Sequence, residues 1–198
     1  MKVHSTISIW TFLIVLWTCG NLQVTAQSTS WKNIVDTKAP GWSIERWINS
    51  EPLHLQDLKG KVVLVRWWLE TCPYCQATAS SLNEFHEIYA EKGLVIIGMY
   101  HPKPLGRKVA VTEVKHYADT NGFQFPIAID EDWAVLKRYW FDRGGEAFTS
   151  VSFIIDRAGV IRYIHPGGAY NSMAQPYNNK QWQEDYFKVK AILESLLE

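Results

Sequence analysis

The chain alternates between apolar runs and segments with helical spacing from residue 61 onward. Residues 61–69 and Leu94–Tyr100 are almost continuously apolar, as expected for central strands that are buried on both faces. Between them, Leu82, Phe85 and Tyr89 repeat at the spacing of one helix face. This pattern predicts a strand, a helix and a second strand in that order.

The rest of the chain continues in the same manner. In chain order, the predicted elements are a short hairpin over 44–47 and 52–55, a helix through Val111, Val114 and Ala118, a strand at 125–129, a helix from Asp130 to Trp140, a hairpin over 151–155 and 160–164, and a closing helix over 180–197. This order predicts an α/β fold of three layers, with a central mixed sheet flanked by helices.

Composition limits the possible functions. The 198 residues are 47% hydrophobic, which suits one domain with a sizeable core. Basic and acidic residues balance at 20 each, and no run of Lys or Arg stands out. A nucleic-acid partner therefore has no electrostatic basis in this sequence.

The first 26 residues have the features of a targeting segment. Lys2 precedes an apolar run at residues 7–17, which is shorter than the roughly 20 residues needed to span a bilayer. Small residues follow at 24–26, so we predict a signal peptide over 1–26, cleaved after Ala26, and a domain over 27–198. The protein is expected to be exported to the periplasm or another extracytoplasmic space. Lipidation of Cys19 would instead tether it to a membrane, although Trp17 and Thr18 fit that motif poorly.

Removal of the signal peptide leaves Cys72 and Cys75 as the cysteines of the mature chain. They lie where a predicted strand ends and a helix begins, and a helix N-terminus lowers a cysteine pKa from about 8.5 to between roughly 3.5 and 7.5. Pro73 suits the first helical position, and Cys75 lies one turn deeper. A purely structural disulfide across so short a loop would constrain the unfolded chain little. Glu70, just before the pair, is interpreted as an exposed, solvated side chain.

Several motifs together resemble the thioredoxin superfamily, in particular the exported TlpA/ResA-like thiol-disulfide oxidoreductases, over about residues 39–167. They are Leu58-Lys59-Gly60-Lys61, the stretch from Trp68 to the Cys72-Pro73-Tyr74-Cys75 motif, Phe125-Pro126-Ile127, and Phe153-Ile154-Ile155-Asp156 before Gly159. The resemblance implies a thioredoxin-like fold, a reversible dithiol/disulfide pair with Cys72 as nucleophile and Cys75 as resolving thiol, and Trp68 beside them. It also implies protein thiols and disulfides as substrates, a redox partner protein and no organic cofactor. The direction of electron flow stays open.

The sequence departs from that family at positions expected to shape the site. Ser150 occupies the place of the family's cis-proline, and we expect a trans Thr149–Ser150 bond because a cis bond before a non-proline residue costs roughly 3–4 kcal/mol. Arg66 replaces a buried acidic or uncharged residue; either it is a cation near the thiols or its side chain leaves the core to pair at the surface. Thr78 and Ser80 replace a glutamate and a proline in the following helix. The predicted site-shaping residues are Trp68, Pro73, Tyr74, Ser150 and Arg66.

Two other functions are compatible with these residues. A copper-binding metallochaperone of the same fold would use Cys72, Cys75 and either His101 or His165, whereas a redox-inert interaction module would use neither cysteine chemically. His86 is interpreted as a structural residue of the predicted helix. The chain has no H-x-x-H and no second C-x-x-C, so a closed zinc site lacks ligands and no metal is predicted.

Overall fold

The computed structural model describes residues 31–146, 148–172 and 179–198. The predicted signal peptide and Cys19 lie outside these residues. Within the described part, no helix is both long enough and apolar enough to cross a membrane.

The described residues form a six-stranded mixed sheet with helices on both faces. The strands are β1 (Trp47–Ile48), β2 (Val62–Trp68), β3 (Leu94–Tyr100), β4 (Ile127–Ile129), β5 (Ser152–Ile155) and β6 (Ile161–His165). The helices are α1 (Pro73–Tyr89), α2 (Val111–Thr120), α3 (Ala134–Tyr139) and α4 (Lys180–Leu197). The sheet order is β1-β4-β3-β2-β5-β6, in which β2, β3 and β4 are parallel and the other pairs are antiparallel.

The three-layer arrangement follows from strand β2, whose seven residues are all buried. Successive side chains of a strand point to opposite faces. Val62 and Leu64 therefore pack in one core with α1, α2 and α4, while Val63 and Val65 pack in a second core with α3. The predicted α/β fold with a central mixed sheet is confirmed.

Several predicted elements are confirmed closely. The central strand at 61–69 is β2, the predicted strand Leu94–Tyr100 is β3, and the closing helix is α4. The late hairpin is the antiparallel pair β5 and β6. These segments carry a clear apolar pattern, a continuous apolar run in the case of β2 and β3, which is why their sequence is sufficient to define them.

The hairpin predicted over 44–47 and 52–55 is wrong. Trp47 and Ile48 form β1, which pairs with β4 at the edge of the main sheet, and Leu55–Leu58 is a 3-10 turn. Both residues of β1 are buried, and pairing with β4 buries them against the core, which an isolated hairpin could not do.

The helix predicted from Asp130 begins only at Ala134. Trp133 has a left-handed backbone conformation with φ of 61°, which separates Asp130 from the helix. The Asp130 carboxylate still accepts hydrogen bonds from the backbone N–H groups of Val135 and Leu136, at 3.0 and 2.8 Å. It thus satisfies two unpaired donors of the first turn from outside the helix.

One edge of the sheet is short, and the other is covered at its start. At one edge, β1 has only two residues. At the other edge, residues 36–39 pair with the start of β6: the Asp36 N–H donates to the Ile161 carbonyl at 2.7 Å, and the Ile161 N–H donates to the Thr37 carbonyl at 2.9 Å. The Ala39 N–H continues the contact to the Gly159 carbonyl at 3.0 Å.

Candidate active site

Cys72 and Cys75 lie at the junction of β2 and α1, near the centre of the sheet. Cys72 is the N-cap of α1, with an extended backbone, and Pro73 occupies the start of the helix. The Cys75 N–H donates to the Cys72 carbonyl at 3.0 Å and lies 3.3 Å from the Cys72 sulfur. The first turn of α1 therefore directs a backbone N–H toward the Cys72 sulfur as well as toward the Cys72 carbonyl.

The two thiols differ in exposure and in acidity. Cys72 is partly exposed, Cys75 is only 6% exposed, and both are free thiols. A hydrogen bond from the Cys75 thiol lowers the pKa of Cys72 to about 6. Burial opposes this shift, whereas the Cys75 N–H and the charge of Arg66 add to it. The same hydrogen bond, together with burial, raises the pKa of the Cys75 thiol well above its usual value. The site therefore pairs an accessible thiolate with a protected thiol at neutral pH.

Arg66 lies in β2 and is fully buried, so the alternative of a surface ion pair is wrong. Its guanidinium donates to the Ser150 carbonyl at 2.5 Å, the Ser152 hydroxyl at 3.3 Å and the Gly168 carbonyl at 2.8 Å. It also lies over the Tyr170 ring, 5.4 Å from the centroid. Strand β2 thus places a positive charge inside the core, behind the cysteine pair.

A cavity of about 270 Å³ opens beside Cys72. Pro73 and Tyr74 line one side of it and residues 148–150 line another. Tyr74 and Phe148 are 38% and 51% exposed, with their ring centroids 6.4 Å apart. The cavity therefore offers exposed aromatic surface next to the accessible sulfur.

Ser150 forms part of the cavity wall through a trans peptide. Within the described residues the cis peptide bond is Lys103–Pro104, and the Thr149–Ser150 bond is trans. The Ser150 hydroxyl accepts a hydrogen bond from the Gly168 N–H at 3.3 Å, while its carbonyl is held by Arg66. Side-chain and main-chain atoms of Ser150 are thus both fixed from within the core.

Trp68 supports the site from the core. Its side chain is 2% exposed, and its ring makes edge-to-face contacts with Tyr100 and Phe123 at centroid distances of 5.2 Å. Cys75 belongs to the same buried cluster, and Cys72 packs against it. Gly98 leaves room for the indole: a Cβ atom there would lie 3.0 Å from the Trp68 ring nitrogen.

The histidines are not gathered with the cysteines. His101 is fully buried with no hydrogen-bond partner on either ring nitrogen, and burial lowers its pKa to about 3. His165 lies 3.4 Å from Asp185, and the His86 ring contacts Phe125. The described residues contain no group of three or more His, Cys, Asp or Glu side chains placed to hold a metal ion. The copper alternative therefore lacks its third ligand in this part of the chain.

The interpretation of Glu70 as an exposed, solvated side chain is wrong. Its carboxylate accepts hydrogen bonds from the Tyr100 hydroxyl and from Arg107, both at 2.7 Å, and Arg107 also pairs with Glu113. Burial opposes ionisation, but these two donors hold the pKa of Glu70 below its usual value. Arg107 is 37 residues away in sequence, so no local pattern reveals the pair.

A second feature without a sequence signal is the segment around Tyr170 and Asn171, which packs under α1. The Ser81 hydroxyl donates to the Tyr170 carbonyl at 3.2 Å, and the Asn171 amide donates to the Ala77 carbonyl. Both residues of the segment are buried. It belongs to no regular element, so hydrophobic periodicity could not identify it.

Comparison with known proteins places this fold and site in a defined class. Thioredoxin-like proteins have a mixed sheet whose central strand is followed by a helix, and their C-x-x-C motif lies at the start of that helix. The profile of the AhpC/TSA family matches residues 35–164. The chain therefore belongs to the AhpC/TSA family, and its resemblance to TlpA/ResA-like members of the thioredoxin superfamily is confirmed.

Individual relatives are similar over part of their length. Protein DipZ of Mycobacterium tuberculosis is 32% identical over 136 residues, which cover 65% of this chain and 18% of DipZ. Thiol-disulfide oxidoreductase ResA of Bacillus anthracis is 30% identical over 114 residues, covering 58% of this chain and 60% of ResA. The chain thus spans less than two thirds of each of these two relatives.

Among solved structures, a thiol-disulfide isomerase from Corynebacterium glutamicum superimposes with a TM-score of 0.62 at 24% identity. The match covers 81% of this chain and 97% of that protein. This similarity establishes the shared fold.

Proposed function

We propose that this protein is a thiol-disulfide oxidoreductase that exchanges electrons with protein thiols and disulfides through Cys72 and Cys75. The observation that carries the proposal is the asymmetry of the pair. An accessible thiol with a pKa of about 6 lies at a helix N-terminus, and a buried thiol with a raised pKa lies one turn deeper. The accessible, acidic thiol of Cys72 suits the attacking cysteine, and the buried thiol of Cys75 suits the resolving cysteine.

In the reducing direction, the Cys72 thiolate attacks a sulfur atom of the partner's disulfide and expels the other sulfur as a thiolate, which takes up a proton. A mixed disulfide then joins Cys72 to the partner. Cys75 loses its proton and attacks the Cys72 sulfur, which releases the partner's second thiolate and closes the Cys72–Cys75 disulfide. Two electrons pass to the partner. The oxidising direction reverses each step, and no organic cofactor takes part.

Site variants test this mechanism in a disulfide-reduction assay with a disulfide-bonded model protein. Cys72→Ser is expected to reduce the rate to the uncatalysed background, because it removes the attacking sulfur. Cys75→Ser retains that sulfur and is expected to accumulate a mixed disulfide visible by mass spectrometry. Full activity of Cys72→Ser, or no mixed disulfide in Cys75→Ser, contradicts the assigned roles.

We further propose that the protein works outside the cytoplasm with a dedicated redox partner protein. The N-terminal pattern at residues 1–26 supports export. Mass spectrometry of the protein recovered from the cell envelope is expected to give a mature chain that begins at Gln27. A chain that begins at a lipid-modified Cys19 would show membrane tethering instead, and an intact Met1 in the cytoplasm would contradict export.

A further inference from the structure

Arg66 is a buried cation without a counterion among the side chains. The described residues include every Asp and Glu of the chain, and none of them pairs with Arg66. The acceptors of its guanidinium are the neutral oxygens of Ser150, Ser152 and Gly168, and its Nε has no partner. A buried charge in this state is unfavourable, because neutral acceptors replace only part of its hydration.

The cysteine pair can provide a negative charge within reach of Arg66, whose charge acts on both thiols. Ser150, whose carbonyl binds Arg66, lines the same cavity as Cys72. The positive charge of Arg66 lowers the pKa of both thiols, and burial holds the pKa of the adjacent Tyr170 above its usual value, so that side chain stays neutral. A Cys72–Cys75 disulfide carries no charge, whereas the reduced pair carries a thiolate. Reduction therefore creates the counterion that Arg66 otherwise lacks.

We propose that Arg66 is a positioning residue that favours the reduced pair, so that the protein acts as an oxidant of dithiols in its substrates. The proposal rests on the dithiol–disulfide exchange proposed above and assigns its direction. A redox pair whose reduced form is stabilised is a stronger oxidant, because the equilibrium constant for accepting two electrons rises by the same factor. The substrate class is a protein with two neighbouring thiols.

The oxidising step balances as follows. One substrate thiolate attacks the Cys72 sulfur, the Cys72–Cys75 bond breaks, and the Cys75 sulfur leaves and takes a proton. The second substrate thiolate attacks the mixed disulfide and expels Cys72 as a thiolate. Two electrons move from the substrate to the protein. The two substrate thiols release two protons in total. One of these protons is matched by the proton taken up by Cys75, and the other enters the solvent.

The test measures the equilibrium between the protein and a glutathione redox buffer. Arg66→Met removes the charge at similar volume and is expected to shift the equilibrium constant about tenfold or more toward the disulfide, which corresponds to a potential about 30 mV lower. Arg66→Lys keeps the charge and is expected to retain most of the wild-type value. Lys103 lines the same cavity but is exposed, so Lys103→Gln is a matched control with an expected change below about twofold.

An unchanged equilibrium constant in folded Arg66→Met overturns the proposal, and so does an equal shift in Lys103→Gln. If Arg66→Met does not fold, the wild type decides: with reduced and oxidised glutathione at about 1 mM each it is expected to be mainly reduced, and a mainly disulfide-bonded protein overturns the proposal. A wild type that does not exchange with glutathione at all contradicts the oxidoreductase function itself. The two failures are therefore distinguishable.

Discussion

At the residue scale, the acidity of Cys72 depends chiefly on its partner thiol. The hydrogen bond from Cys75 is the largest cause of the lowered pKa. A hydrogen bond to a charged acceptor is worth about 1.5–3 kcal/mol, and 1.36 kcal/mol corresponds to about one pKa unit. The side chain at position 75 is therefore expected to tune the nucleophile directly.

Replacement of Cys75 provides a test. Cys75→Ala removes the donor and is expected to raise the pKa of Cys72 by about 1–2 units, whereas Cys75→Ser keeps an O–H donor and is expected to stay closer to about 6. The measurement is the pH dependence of alkylation of Cys72. Its rate rises with the thiolate fraction and levels off above the pKa. Identical profiles for the two variants would show that the thiol at position 75 has no such effect.

The sequence identifies the cysteines and Pro73 at this scale because their spacing and position define a helix N-terminus. It leaves the environment of Arg66 open. The two carbonyls that bind Arg66 belong to Ser150 and Gly168, which are 84 and 102 residues further along the chain. Contacts between residues so far apart leave no pattern in the local sequence. Whether Arg66 is buried or lies at the surface can therefore be decided only from the folded structure.

At the element scale, Glu70 anchors the loop after β3 to the turn before α1. Its carboxylate binds Tyr100 at the end of β3 and Arg107 in the loop. We expect Glu70→Gln to lower the free energy of unfolding by about 1 kcal/mol at neutral pH. Glu113→Gln is the matched control, since Glu113 shares Arg107 but is more exposed, and a smaller loss is expected.

The effect of Glu70 also has a defined pH dependence. Its folded-state pKa is lowered, so the stabilisation is fully present above the unfolded-state pKa of about 4.3 and is lost as the pH falls through the folded-state value. Denaturant unfolding of wild type and Glu70→Gln is therefore expected to differ at neutral pH and to converge in acid. A difference that stays constant across this range would contradict an ionic role for Glu70.

Gly98 determines how closely β3 approaches Trp68. A Cβ atom at this position would lie 3.0 Å from the indole nitrogen and 3.2 Å from both Ile127 and Phe125. Overpacking of this kind costs about 1–3 kcal/mol, so Gly98→Ala is expected to lower stability by that amount in denaturant unfolding. Gly41→Ala is the control, because nothing lies within 4 Å of its added Cβ. Equal stability of the two variants would show that the β3 surface can relax.

The elements with a long apolar run or a clear apolar spacing are the ones that the sequence predicts correctly. The early hairpin failed because β1 has only two residues and its partner, β4, lies about 80 residues further along. A two-residue strand is too short to show alternation. Its pairing is determined by the exposed edge of the sheet and by the core beneath it.

At the scale of the whole molecule, the redox state of the pair is linked to the stability of the fold. A disulfide ordinarily stabilises by constraining the unfolded chain, but the short Cys72–Cys75 loop gains little in this way. If Arg66 favours the reduced pair, the thermodynamic cycle requires Arg66 to stabilise the reduced fold relative to the oxidised fold, by about 1.4 kcal/mol for each tenfold shift that it causes in the redox equilibrium.

Unfolding curves of both redox forms check this expectation. The reduced protein is expected to unfold at higher denaturant concentration than the oxidised protein, and Arg66→Met is expected to shrink or reverse the difference. Arg66→Lys serves as the control that keeps the charge. An oxidised wild type more stable than the reduced one would show that the cross-link outweighs the buried charge.

The short and covered edges of the sheet affect how the protein behaves in a crowded solution. Open strand edges are templates on which neighbouring chains add strands and begin to aggregate. Here β1 offers only two residues, and the segment at 36–39 occupies the backbone groups of Ile161, the first residue of β6. Strand addition by other proteins therefore has little free backbone at β1 and at the start of β6. A protein whose task is to meet partly folded chains would gain from this arrangement, because it can handle aggregation-prone clients without joining their aggregates.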